Sequence, residues 1–258
     1  MSEPHGKFSW YELMTTDTEA AGAFYRSVVG WNLFEPGGPH AGYTLFRVGE
    51  QGIGGMMKLP DEARAAGARP GWMGYIWVPE VEGALAKVVA AGGAVHKEPA
   101  DIPQIGRFAV VSDPQGANFI LFRHFGDQEA PPVVPGTPGY IGWHELHAGE
   151  RESAFAFYAG QFGWTKGEAH DMGGPVGVYQ TFEIGDGQSG GMMNKMAVFP
   201  HPFWLYYFNV DDIDAAAARV RSAGGQVMMG PAEVPGGIWI LQATDPQGGM
   251  FALVGPKI

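Results

Sequence analysis

Glu12 and Glu145 each stand two residues after a tryptophan, in "WYEL" at 10–13 and "WHEL" at 143–146, and His147 follows Glu145 by two more. Both stretches read as strands. In a strand residues i and i+2 share a face, so Trp10 sits with Glu12, and Trp143 sits with Glu145 and His147. An ionised carboxylate among indole, phenol and thioether groups is costly unless it finds donors or takes up a proton. Glu12 and Glu145 are therefore candidates for acid/base catalysis, or for gripping a ligand amine or hydroxyl. A second reading keeps both structural, hydrogen-bonded to backbone or to arginine where two modules dock. Glu145 and His147 are also a legitimate pair of metal ligands, but two ligands do not make a site. The other histidines fall mostly in loops or at strand ends and read as solvated polar residues.

Aromatic and sulfur-bearing side chains form a second theme. Trp72, Tyr75 and Trp77 lie on one apolar stretch, Phe203, Trp204, Tyr206 and Tyr207 on another, and methionine pairs occupy 56–57 and 192–193. Alternation turns half of each set to either face of a sheet. The candidates for lining a cavity are Trp10, Trp143, Trp77, Tyr75, Tyr207, His147, Met57 and Met193. Such a lining suits a flat apolar or cationic organic molecule, held by stacking and a carboxylate. Other chemistries lack their residues. No glycine-rich phosphate loop follows a strand, no serine elbow occurs, and "HELH" at 144–147 is read as strand, so it lacks the helical spacing of a zinc protease. The stretch 167–179, with His170 and Asp171, is long enough for a lid, though a plain surface loop is the simpler reading.

The elements that must position these groups occur twice. "WYELMTTDTEAAGAFYRSVVGW" at 10–31 and "WHELHAGERESAFAFYAGQFGW" at 143–164 agree at ten of twenty-two positions. "GIGGMMK" at 52–58 returns as "SGGMMNK" at 189–195, "AAGGAV" at 90–95 as "SAGGQV" at 222–227, and "SDPQGANF" at 112–119 as "TDPQGGMF" at 244–251. Offsets of 132 to 136 residues describe two modules, 1–125 and 140–258, joined by a proline- and glycine-rich linker at 126–139. In the first module a strand precedes a helix over 18–29, capped by Thr16 or Asp17, with Glu19 completing a capping box with Thr16. Strands follow at 42–49, 54–59 and 71–79, then a helix ending on Gly92 and a hairpin turning at Asp113 to Gly116. The order is βαβββ, twice per module, an α+β fold.

Strand, helix with "FY", "GW", "AGG" closing a second helix and a terminal "DPxG" hairpin resemble the vicinal oxygen chelate superfamily, which includes glyoxalase I, bleomycin-resistance proteins and extradiol dioxygenases. The resemblance covers nearly the whole chain. It implies paired βαβββ units curled into open barrels around a cavity, with a pseudo-twofold pairing of modules. It also implies a divalent metal held by His and Glu on the strands. The positions that match those ligands here are Trp10 and Trp143, near Met73 and Leu205, within the "GGMM" segments, and Ile120 and Ala252. Indole, thioether and aliphatic groups do not serve such cations. The expectation is a protein with no metal and no cofactor.

Composition bounds the partners. The 258 residues carry 16 basic and 27 acidic side chains, a net −11 that repels phosphate backbones and anionic lipid. No nucleic acid and no membrane are expected as partners, and no apolar run reaches the length of a membrane span. The absence of cysteine excludes disulfides and thiolate chemistry and fits the cytoplasm. The reading is a cytoplasmic protein that binds a small hydrophobic or aromatic molecule in an apolar cavity, as bleomycin-resistance relatives do. The alternative is a lyase or dioxygenase-type enzyme, either metal-dependent or using Glu12 or Glu145 as acid and base. Intramolecular pairing of modules is expected, with further dimerisation left open.

Overall fold

In a computed structural model the described residues are 5–126, 133–174, 176–185 and 187–258. Two eight-stranded sheets and five α-helices make an α+β fold in which every strand of the first module recurs in the second, and only the short helix Asp61–Ala65 and a 3-10 turn at Gly38–His40 have no counterpart among the described residues. The first module runs β1 (Phe8–Thr15), α1 (Thr18–Val28), β2 (Asn32–Phe34), β3 (Tyr43–Val48), β4 (Gln51–Lys58), α2 (Asp61–Ala65), β5 (Gly71–Trp77), α3 (Val81–Ala90), β6 (Ala94–Ile102), β7 (Gly106–Ser112) and β8 (Asn118–His124). The second runs β9 (Ile141–Ala148), α4 (Arg151–Phe162), β10 (Thr165–Asp171), β11 (Val178–Ile184), β12 (Gly187–Asn194), β13 (Phe203–Asn209), α5 (Ile213–Ser222), β14 (Gln226–Val234), β15 (Ile238–Thr244) and β16 (Met250–Gly255). Strand orders are β2-β3-β4-β1-β5-β8-β7-β6 and β10-β11-β12-β9-β13-β16-β15-β14, the same topology twice.

Local chemistry sets these elements. Asp17, not Thr16, caps α1, because its carboxylate accepts from the Ala20 amide at 3.0 Å. Glu80, Glu150 and Asp212 cap α3, α4 and α5 in the same way. Gly92 follows α3 at φ +91°, a conformation that suits glycine. Strand β6 carries Pro99, which argues against a strand in the sequence. The proline is accommodated where the β6–β7 register slips between Lys97 and Ala100, so no ladder amide is needed there. The stretch 167–179, read as a surface loop long enough for a lid, is partly strand, since β10 continues through Asp171 by pairing with β11 and not by burying a face. Of the linker at 126–139, residues 127–132 lie outside the described set; its end is anchored, with the Gly139 amide donating to the Asn209 carbonyl at 2.8 Å.

The chain divides into two compact units, and each draws on both modules. One comprises Met1–Trp10, Met73–Pro131 and Trp143–Trp204; the other comprises Tyr11–Trp72, Pro132–Gly142 and Leu205–Ile258. The signature residues explain this composition. In the second unit the Trp72 indole donates to the Tyr25 hydroxyl at 2.8 Å, and that hydroxyl donates to Asp245 at 3.0 Å. In the first unit Trp204 donates to Tyr158 at 3.0 Å, and Tyr158 to Asp113 at 3.1 Å. The "FY" tyrosine of each module is thus bound to the "DPxG" aspartate of the other. Burial pushes both carboxyls up from their ordinary range, while amides of their own turns and the tyrosines pull the other way. Around Tyr25 pack Phe24, Trp31, Phe46, Trp72 and Phe251; around Tyr158 pack Phe119, Phe157, Phe162, Trp164 and Trp204.

Candidate functional site

Strand β9 presents Trp143, Glu145 and His147 at alternate positions, as the sequence predicts, and in the first unit they join one hydrogen-bonded array. The Trp143 indole donates to the Tyr179 hydroxyl at 2.7 Å, and Tyr179 donates to Glu145 Oε2 at 3.1 Å. The other carboxylate oxygen, Oε1, accepts from His147 Nε2 at 2.8 Å, so the hydrogen of a neutral imidazole sits on that nitrogen. Burial, and secondly the charge of Glu145, raise the Tyr179 hydroxyl well above the usual phenol range, which keeps it a donor. Glu145 is 5% exposed and His147 fully buried. The imidazole stacks on Phe203 at 4.5 Å between centroids and meets the edge of Phe199 at 5.6 Å. Met193, 7% exposed, pairs in register with His147 from β12.

Strand alternation does not single out Tyr179, although the repeat signals it through Tyr43 in the first module. Its reach depends on a glycine. Gly191 is the register partner of Glu145, and a Cβ there would fall 2.2 Å from the Tyr179 ring. Gly55 is likewise the partner of Glu12, and a Cβ there would meet the Tyr43 hydroxyl. The second glycine of "GGMM" therefore lets a tyrosine from the next strand cross toward the carboxylate. The first glycine, Gly54 or Gly190, lies against the backbone carbonyl of Tyr11 or His144.

The remaining candidates are placed apart from this array. In the first unit Tyr75 is buried with Ile120 and Phe122, and Trp10 and Met73 pack against that cluster. Trp77 is half-buried, with its backbone bonded to Gly6 and Lys7. In the second unit are Glu12, buried; Met57, half-buried in register with Met14 and Tyr43; and Tyr207, buried and accepting from Gln242 Nε2 at 2.9 Å. Among the other histidines, His144 departs from the solvated reading. It stacks on Phe8 at 4.2 Å, donates from Nδ1 to the Ser189 carbonyl at 2.7 Å, and is lowered by burial to a pKa of about 4.

The divalent ion that the resemblance implies finds no matching donors. Trp143, which the resemblance puts at the first ligand position, gives its one indole N–H to Tyr179. Tyr75 pairs in register with Ile120, and Tyr207 with Ala252, so the last-strand positions are aliphatic. The Glu145–His147 pair is bonded to itself, and no group of three His, Cys, Asp or Glu suited to a metal occurs among the described residues. These residues do not fit the ion.

Comparison with known proteins gives the ancestry of this arrangement. Over 256 residues, 97% of this chain and 95% of the relative, the sequence is 33% identical to "Putative glyoxylase CFP32" of Mycobacterium tuberculosis. It is 29% identical to the "Anthracycline biosynthesis protein DauV" of Streptomyces sp. strain C5, covering 96% of this chain and 93% of that one. The Mn(II)-bound glyoxalase from Novosphingobium aromaticivorans superposes with a TM-score of 0.66 at 17% identity, over 98% of this chain and 82% of that one, a likeness of fold. The family model matches residues 7–121 and again 140–253, and with both modules accounted for the chain belongs to the Glyoxalase/Bleomycin resistance protein/Dioxygenase superfamily.

Proposed function

We propose that this protein binds a small aromatic molecule against the Trp143–Tyr179–Glu145 array and does so without a divalent ion. The observation that carries the reading is the substitution of chemistry at the family's first ligand position: an indole stands there, tied through Tyr179 to a buried carboxylate. Trp143, Tyr179 and Phe203 are only half-buried, which leaves aromatic surface for stacking above the buried Glu145 and His147. A relative named for anthracycline biosynthesis accords with such a ligand. The absence of cysteine suits a cytoplasmic setting, and among the described residues no helix is long and apolar enough to cross a membrane.

Titration with naphthalene-type probes should quench tryptophan fluorescence in wild type and do so at least about tenfold more weakly in Trp143→Ala, a change of ~1.4 kcal/mol. Elemental analysis of protein purified without affinity-tag metal should find no stoichiometric Mn, Fe, Ni or Zn, and chelator should leave probe affinity unchanged. Stoichiometric metal, or binding indifferent to Trp143, would overturn the proposal. The buried Glu145–His147 hydrogen bond favours a second reading, in which the same ligand is a substrate and the pair moves a proton. Full turnover by Glu145→Gln on a discovered substrate would remove it.

A further inference from the structure

His147 uses one of its two ring nitrogens. Nε2 donates to Glu145, which leaves Nδ1 as a bare acceptor, and that atom is buried with no hydrogen-bond partner. A buried acceptor without a donor is rare in a native interior and calls for an explanation. Among the described residues no protein donor reaches it; one face of the ring is covered by Phe203 and an edge-on Phe199 lies nearby. Glu145 is itself fixed by Tyr179, so the imidazole is held in one tautomer and one orientation. Phe199 lies outside the strands, in the irregular segment 195–202, where the Lys195 ammonium donates to its carbonyl at 2.9 Å.

We propose that His147 Nδ1 is a specificity-determining acceptor for a hydroxyl group on the bound aromatic molecule, so that the site selects phenol-type ligands over their hydrocarbon counterparts. This rests on the binding reading above and adds the chemical class of the ligand. A carboxylate behind the imidazole strengthens Nδ1 as an acceptor, because Glu145 stabilises the positive charge that a donated hydrogen bond begins to develop there. A ligand lacking the hydroxyl leaves Nδ1 unpaired, and that asymmetry is the source of selectivity.

The test compares 2-naphthol with 2-methylnaphthalene, which differ by hydroxyl against methyl at equal shape, by calorimetry and fluorescence on the full chain. Wild type should bind 2-naphthol about tenfold or more tightly. In His147→Phe a ring still stacks on Phe203 but carries no acceptor, and the ratio should fall to near one. Nitrogen-15 NMR of wild type gives a readout that needs no variant: the His147 Nδ1 resonance should shift with 2-naphthol and stay put with 2-methylnaphthalene. Equal affinities for the two probes, a ratio untouched by His147→Phe, or an unmoved Nδ1 resonance on 2-naphthol binding would overturn the hydroxyl assignment while leaving aromatic binding intact. Failure of both probes to bind would overturn the binding reading itself, and the assignment with it.

Discussion

The hydroxyl of Tyr179 stands between an indole donor and a carboxylate acceptor, so a single atom couples half-buried Trp143 to buried Glu145. Tyr179→Phe keeps the ring over Gly191 and removes that atom, leaving Trp143 Nε1 and Glu145 Oε2 each short of one partner. Urea unfolding should show a loss of about 1–3 kcal/mol. Gly191→Ala tests the same array from the backbone side: a methyl 2.2 Å from the tyrosine ring must displace it, at a cost of about 1–3 kcal/mol by overpacking. Equal stability of Gly191→Ala and wild type would mean the ring is not held there. His144 gives a pH dependence. Its folded pKa of about 4 lies below the unfolded value near 6.5, so the unfolded chain takes up the proton first. Its contribution is constant above the unfolded value, falls as pH drops through that window, and levels off below about 4, a span of at most about 3 kcal/mol. His144→Phe, which keeps a ring beside Phe8, should flatten the difference in stability between pH 7 and pH 4.5; parallel profiles for the two proteins would count against it. Of the site, the sequence showed Trp143, Glu145 and His147 through strand alternation alone. It did not show Tyr179, because a contact across an intervening strand depends on register and on the glycine between, neither of which periodicity reports.

At the scale of elements, the "DPxG" hairpin reads in the sequence as a good turn, and the structure adds a second duty. Asp113 Oδ1 accepts from the amides of Gln115 and Ala117 at 2.9 Å each, which shapes the turn, while Oδ2 accepts from Tyr158 on α4. One side chain thus joins a β-turn to a helix 45 residues away. Asp113→Ala should lose both functions and cost about 3 kcal/mol, whereas Tyr158→Phe, which spares the turn, should cost about half that. Identical losses from the two would show that the helix contact alone matters. A similar pairing fastens the segment after α4: the Trp164 indole donates to the Gly6 carbonyl at 3.0 Å, and Gly6, at φ +84°, has no room for a Cβ beside Phe162. Trp31 and Gly139 repeat the device at 2.7 Å in the other unit. Helix ends, the succession of strands and helices along the chain, and the hairpin turning at Asp113 to Gly116 are legible because capping residues, glycine turns and alternation are local. Strand β6 was not, since Pro99 reads as a breaker until a slipped register makes room for it, and neither was β2, three exposed residues held by pairing with β3.

At the scale of the whole molecule, the internal repeat suggests that each module could stand alone, and the hydrogen bonds say otherwise. Each compact unit takes its tyrosine from one module and its aspartate from the other, together with the aromatic cores around them. Residues 140–258 expressed alone would leave Tyr158 without Asp113, and would strip Phe119 from the aromatic group around that tyrosine. The same fragment carries Asp245, the repeat's counterpart of Asp113, and this offers a remedy to two copies: Tyr158 of one can take Asp245 of the other. The isolated second module should therefore sediment as a homodimer, and unfold at a midpoint that rises with concentration because folding and association are one step. Asp245→Asn should weaken that dimer, since an amide loses the charge-assisted bond from tyrosine while keeping one turn acceptor. Adding the first module, 1–125, should convert the homodimer to a one-to-one complex with both tyrosine–aspartate bonds of the intact chain. A second module that is folded and monomeric at micromolar concentration would show that the exchanged aspartates are dispensable. It would also break the link between the repeated "FY" and "DPxG" residues and the way the chain is assembled.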